Sequence, residues 1–212
     1  MKSIRMAVAA AAAGASLVAL TACSAPVEAG AAAVVGNERI SAGDLKRNVK
    51  EYDAALTRTG LTTQALGIPG STTEVVLYQL ANIEQAEQLI EKAKVNVTDA
   101  EVDQAISGAT AQGGSFEQYM VSQGMAPSNG RRFMRVSVGL QKLMAQYGGG
   151  TDQAAQQRGS ERIQKEAGAI KITYSPRYGV VNTQRSQQSP GLFADAGRFG
   201  KAATQGAAQQ QG

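Results

Sequence analysis

Apolar side chains in the stretch 133–147 follow one spacing. Phe133, Val136, Leu140, Leu143 and Tyr147 recur at intervals of three and four. That period places all five on one side of an α-helix but scatters them over both faces of a strand. The stretch is therefore expected to be a helix that buries one face. The same spacing recurs in Leu45, Val49, Tyr52 and Leu56, and again in Val76, Leu80, Ile83 and Ile90, where Leu77 and Leu89 widen the face. Boundary residues frame these runs. Thr98 and Glu101 form a capping box, and Ser41 with Asp44 forms a weaker one. Thr72 or Thr73 opens the second helix, with Glu74 in its first turn and an end near Val95. Ser115 caps a short helix, Phe116 to Gln123, which Gly124 stops. Pro127 breaks the chain, Ser128 begins the long helix, and Gly148-Gly149-Gly150 ends it. A more polar helix follows over 151–167. The fold class is mainly α.

Two short extended pieces lie at the ends of this helical region. Ala33 to Ile40 places apolar residues on both sides of Gly36-Asn37 and reads as a hairpin. Ala169 to Tyr174 alternates apolar and polar residues and reads as a strand. Ser175 to Gly179 is a turn leading into Val180-Val181. The expected architecture is a helical body with one small β-sheet, in which the N-terminal hairpin pairs with the C-terminal strand. From residue 182 to 212 the chain turns to Gln, Gly and Ala and is expected to be a disordered tail.

The first residues carry a different signal. Lys2 and Arg5 precede an uncharged run, Met6 to Leu20, which has the length of a secretory h-region and is too short for a comfortable membrane span. Leu20-Thr21-Ala22-Cys23 then resembles the lipobox of bacterial lipoproteins. The resemblance implies a diacylglycerol on the Cys23 thiol and cleavage that leaves Cys23 as the first residue. Two acyl chains hold a protein stably at a bilayer where one holds it marginally. Cys23 is the one cysteine, so no internal disulfide forms. The expected layout is a signal peptide over 1–22, a tether over 23–32, a helical domain over 33–181 and the tail over 182–212. No second long apolar run follows residue 22, so the expected location is the extracytoplasmic face of a cell membrane, anchored by lipid.

Composition narrows the chemistry. The chain has no His, which removes Ser-His-Asp and Cys-His arrangements and most zinc sites. It has no phosphate loop and no Gly-x-Gly-x-x-Gly before a helix. Glu84, Glu87 and Glu91 share a helix face and are expected to be solvated. A glycosidase pair needs a cleft and stacking aromatics, and the chain has no Trp. Asn96-Val97-Thr98 matches a glycosylation sequon, but the capping role of Thr98 accounts for it. Loss of Lys2 and Arg5 lowers the 21 basic residues to 19 against 17 acidic, a net charge of about +2 that gives no concentrated basic face for nucleic acid. The expectation is no enzyme activity, no cofactor, no metal and no nucleic acid.

The order of motifs is similar to that of the SurA N-terminal family of extracytoplasmic chaperones, which includes the PrsA-type lipoprotein foldases. Val34-Val35-Gly36-Asn37-Glu38-Arg39-Ile40-Ser41 to Leu45 resembles the entry hairpin and first helix. Val95-Asn96-Val97-Thr98-Asp99-Ala100-Glu101-Val102-Asp103 resembles the next recurring signature. Ser115 to Leu143 resembles a short helix, a turn ending in Gly-Met, and a long helix with paired arginines. Ile172-Thr173-Tyr174-Ser175-Pro176-Arg177-Tyr178-Gly179 resembles the closing strand and turn. The resemblance implies a helical domain whose first and last segments pair as strands, and binding of unfolded or nascent exported polypeptides. Many members add a parvulin domain that isomerises prolyl bonds. Here about twenty-five residues separate the long helix from the closing strand, too few for a domain. Parvulin histidines are also absent, so isomerase activity is not carried over.

A surface that accepts many sequences favours flexible apolar side chains, Met above all. Met120, Met125, Met134 and Met144 fall in one stretch beside Phe116, Tyr119 and Phe133. Of these, Phe116, Tyr119, Met120, Met125 and Met134 are candidates to line an open groove, the alternative being that they fill the core. Arg131, Arg132 and Arg135 crowd the start of the long helix, where positive charge opposes the dipole at ~0.3–1 kcal/mol each. They are candidate contacts for an anionic lipid or client, unless internal carboxylates pair them. Two functions fit: a membrane-tethered holdase or foldase without isomerase activity, or an adaptor lipoprotein docking to one envelope partner. Oligomeric state is open.

Overall fold

The computed structural model describes residues 30–111, 114–186 and 191–194. The signal segment, the Leu20–Cys23 motif and Cys23 itself lie outside the described residues. The order is β1 (Ala31–Val35), β2 (Glu38–Ser41), α1 (Ala42–Thr59), α2 (Thr72–Lys92), α3 (Asp99–Thr110), α4 (Phe116–Ser122), a 3₁₀ turn (Pro127–Asn129) and α5 (Gly130–Gly148). Then come α6 (Gln153–Ala167), β3 (Ile172–Tyr174), a second 3₁₀ turn (Pro176–Tyr178), β4 (Val180–Val181) and β5 (Phe193–Ala194). The protein is mainly helical, as its periodicity requires.

Side chains fix the helix starts. Ser41 Oγ accepts from the Asp44 N–H at 3.0 Å. Thr98 and Glu101 form the full box: Glu101 Oε2 accepts from the Thr98 N–H at 2.8 Å. Two further boxes escaped the sequence reading. Ser71 pairs with Glu74 at the start of α2, and Ser115 with Gln118 at the start of α4. Each such cap stabilises by roughly 1 kcal/mol. The end of α2 is Lys92 rather than Val95, because Lys94 turns into the left-handed region at φ 54. The long helix begins at Gly130 rather than Ser128, since Pro127 first forms the tighter turn. There Glu51 of α1 accepts from the Ser128 N–H at 2.7 Å and from its hydroxyl at 2.6 Å.

The centre of the body is α2, with Val75, Val76, Leu77, Leu80, Ala81, Ile83 and Leu89 all buried. Leu45, Tyr52, Ala55 and Leu56 of α1 pack with it in the same core, as do Met120 and Val121 of α4 and Val136 of α5. The Tyr52 hydroxyl donates to the Val121 carbonyl at 3.1 Å, tying α1 to α4. Helices α5 and α6 approach closely through Gly148 and Gly159. A Cβ on either would run into main-chain carbonyl atoms of the facing helix, at Ala155 and Met144 respectively.

The hairpin turns at Gly36, whose φ of +56 suits the first central position of a II′ turn. The sheet order is β2-β1-β3, both pairings antiparallel, with Val34 opposite Thr173. The two ends of the domain thus pair, as expected. Two boundaries need correction. Ala31 and Ala32, read as tether, are buried residues of β1, and the Ala32 carbonyl accepts from the Ser175 N–H at 2.9 Å. The chain after 182 is not wholly without structure. Val180 pairs with Ala194 and Val181 with Phe193, forming a second small sheet. Leu192 and Phe193 are buried, and the Phe193 ring sits edge-on to Tyr174 at 4.9 Å. An apolar pair inside a polar stretch is enough to return the chain to the core.

Candidate functional site

The three arginines at the start of α5 are held by carboxylates of α2 and α3. Arg132 reaches Glu87 through Nε at 2.8 and 2.9 Å, and Glu84 through Nη2 at 2.6 Å. Arg131 bonds Asp103 at 2.5 Å, and Arg135 pairs with Asp99. These pairs hold the Arg131 and Arg132 guanidinium groups further towards the charged form, Asp103 being the main cause for Arg131 and Glu87 for Arg132. Asp99 and Asp103 lie on the first turns of α3, so the sequence places acids on one helix and bases on its neighbour. The expectation of a free anion-binding patch is corrected: these cations staple α5 to α2 and α3. The same ion pairs correct the solvated reading of Glu84 and Glu87.

The methionine surface is also corrected. Met120, Met125 and Met134 are 0%, 1% and 5% exposed and therefore belong to the core rather than to an open groove. Aromatic residues are few, and flexible Met fills the gaps they leave. Phe116 and Tyr119 remain half-buried, stacked with ring centres 6.2 Å apart, and Phe133 meets Tyr119 edge-on at 6.3 Å. The five candidates therefore do not come together as one open surface.

Several other concavities are open among the described residues, and two bear on function. A cleft of about 680 Å³ lies between the hairpin, α2, the α2–α3 connection and α5; Ile90, Val95, Val97 and Val136 line it beside Glu38, Glu84, Glu87, Glu91 and Arg135. Much of its charge is already spent: Glu84, Glu87 and Arg135 serve the ion pairs above, and Gln88 donates to the Val35 carbonyl at 2.8 Å. Nearby, Lys142 bonds Glu101 at 2.7 Å and the Asn96 carbonyl at 2.6 Å. That lysine, with the Thr98 cap, holds the Glu101 carboxyl down at about 2.

The second is a groove of about 490 Å³ lined by Tyr78 and Asn82 of α2, Lys171, the whole of β3, and Gly179 to Val181. Val180 and Val181, 53% and 36% exposed, are the large apolar side chains that the described residues leave in solvent, and both line it. Burial raises the Tyr174 phenol well above its usual range, so this ring enters the groove wall neutral. Sequence reading missed the groove. Its signals were the Val180-Val181 pair beyond the closing turn and the Leu192-Phe193 pair that brings β4 back to the body.

Among the described residues no helix is long and apolar enough to cross a membrane, and no group of three or more His, Cys, Asp or Glu is placed to hold a metal ion. The model of the SurA-like N-terminal domain matches residues 1–144. The chain belongs to the SurA-like N-terminal domain family, a chaperone-like family associated with binding polypeptide substrates. Comparison with curated proteins gives no match, and comparison with solved structures gives none.

Proposed function

We propose that this protein is a membrane-anchored extracytoplasmic chaperone that binds unfolded exported polypeptides and has no prolyl isomerase activity. The observation that carries the reading is the groove beside β3. It gathers Val180 and Val181, the exposed large apolar side chains among the described residues, on a chain whose residues 1–144 match a family associated with polypeptide binding. Solvent-facing apolar residues at one concave site are what a holdase offers to a chain that has not buried its own. The Leu20–Cys23 motif after the Met6–Leu20 run supports the anchor. It would keep the groove near polypeptides emerging from the membrane. The absence of His in the whole sequence argues against parvulin-type chemistry.

The test is suppression of aggregation. Several unrelated unfolded proteins are diluted from denaturant with and without near-stoichiometric amounts of the chain, and light scattering is followed. The expected result is reduced scattering for most of them. Protection of none, together with capture of a single envelope partner, would replace this reading with that of an adaptor lipoprotein. Mass spectrometry of the membrane fraction tests the anchor, for which the expected product begins at an acylated Cys23.

A further inference from the structure

We propose that the free edge of β3 takes its polypeptide by strand addition. The segment captured is extended, with alternating apolar side chains and a carboxylate at the Lys171 end. The proposal rests on the chaperone reading and specifies its site and chemistry.

Backbone geometry supports this first. The Gly36 N–H donates to the Lys171 carbonyl at 2.8 Å, and the Ser175 N–H to the Ala32 carbonyl at 2.9 Å. Residues 171, 173 and 175 therefore turn their main-chain groups towards β1. Antiparallel pairing alternates, so the N–H and C=O of Ile172 and Tyr174 point the other way. In the order β2-β1-β3 that side has no neighbouring strand, and no hydrogen bond from a described residue reaches those groups. Two donors and two acceptors spaced along a strand match another extended backbone.

The two edges of this sheet also differ. The outer edge of β2 carries Glu38 and Arg39, the charged protection that natural edges use against pairing. β3 reads Ile-Thr-Tyr and carries no charge and no proline. Its side chains are half-buried, and Val180 and Val181 face it across the groove. Asn82 presents a side-chain amide that makes no hydrogen bond to a described residue. Charge sets the occupant's polarity. Lys171 is the one charged side chain lining the groove, it is exposed, and no described carboxylate pairs with it. An acidic residue or chain end at that position would complete it.

The experiment uses the full chain in detergent micelles with a fluorescent acetyl-Asp-Val-Thr-Val-Thr-Val amide, and a second peptide N-methylated at alternate residues. Anisotropy reads binding, and amide hydrogen exchange reads the edge. In the free chain the Ile172 and Tyr174 amides should exchange fast and Thr173 slowly. The first peptide should slow Ile172 and Tyr174, and N-methylation should weaken binding at least ~10-fold, the factor that about 1.4 kcal/mol gives. Lys171→Glu and Val181→Asp, both at exposed positions, should each weaken binding as well. Equal binding of the methylated peptide, or unchanged exchange at Ile172 and Tyr174, overturns the proposal.

Two other occupants would also overturn it. Faster exchange after removal of residues 195–212 would assign the edge to the chain's own tail. Protection that grows with protein concentration would assign it to a second copy. If Lys171→Glu and Val181→Asp still suppress aggregation like the parent, the site assignment fails and the chaperone reading survives. If the parent protects no unfolded protein yet pairs with the peptide at the β3 edge, the reverse holds.

Discussion

Replacing Arg132 tests how far ion pairs, rather than apolar burial alone, hold the long helix to the body. Its guanidinium spans Glu84 and Glu87, and the three side chains are 35%, 17% and 35% exposed. A fully exposed pair contributes ~0–1 kcal/mol. Truncating one partner of a fully buried pair costs about 3–5 kcal/mol. The Arg132 site lies between these limits, and Arg132→Met keeps the aliphatic stem in place. The variant should therefore lose about 2 kcal/mol. Part of that loss is the repulsion of two glutamates left without a cation, three residues apart on α2, ~0.2–0.5 kcal/mol. In a Glu84→Gln, Glu87→Gln background Arg132 meets no carboxylate, and the same change should cost under about 0.5 kcal/mol, leaving a coupling near 1.5 kcal/mol. Urea unfolding measures both costs, provided the m-value is unchanged. An equal cost in both backgrounds would show that Arg132 acts through its stem alone, and the stapling account would be wrong.

Phe193→Ala removes a ring 8% exposed that meets Tyr174 edge-on, and should destabilise by about 3 kcal/mol; an unchanged melting temperature would return residues 191–194 to the tail. Met120→Ala should cost ~2–4 kcal/mol in urea unfolding, because the side chain is fully buried; preserved stability with weakened client binding would restore it to a binding surface. Lys142→Met should raise the Glu101 carboxyl from about 2 towards its ordinary 4.5, since the lysine is the main cause of the depression. A depressed carboxylate favours the folded chain above the unfolded-state pKa, and that contribution fades as pH falls from 4.5 through about 2. A carboxyl titration by NMR that is identical in both chains would remove Lys142 as the cause.

Much of the fold was legible because local chemistry and tertiary packing agree. Thr98 and Glu101 announce α3 in four residues, and the Phe133–Tyr147 stripe announces α5, since cap geometry and helical period are properties of neighbours in sequence. Pairing of the two ends was legible because the extended pieces stand at the two ends of a helical region, and the family resemblance implied the same pairing; no local pattern gives its register, for Val34 and Thr173 are opposite partners far apart in the chain. The arginines show the limit. A run of cations at a helix start looks unsatisfied until α3 is laid across it with Asp99 and Asp103 in reach. The methionines show it again. A flexible apolar residue suits a client groove and a poorly aromatic core equally well, and only burial distinguishes them.

The groove was illegible for a deeper reason: it is defined by what pairing leaves over. Nothing in Ile172-Thr173-Tyr174 says which edge will be free. That depends on β1 taking the side of residues 171, 173 and 175, and on β2 closing the far side of β1. Nor does Val180-Val181 in sequence say that β5 will hold this strand through Phe193 and Ala194 while the two side chains stay in solvent. A binding edge of this kind has no motif of its own. It arises where a sheet stops adding strands before its apolar surface is used up, and the same hydrogen bonds that close the domain at Gly36 and Ser175 determine which main-chain groups stay open.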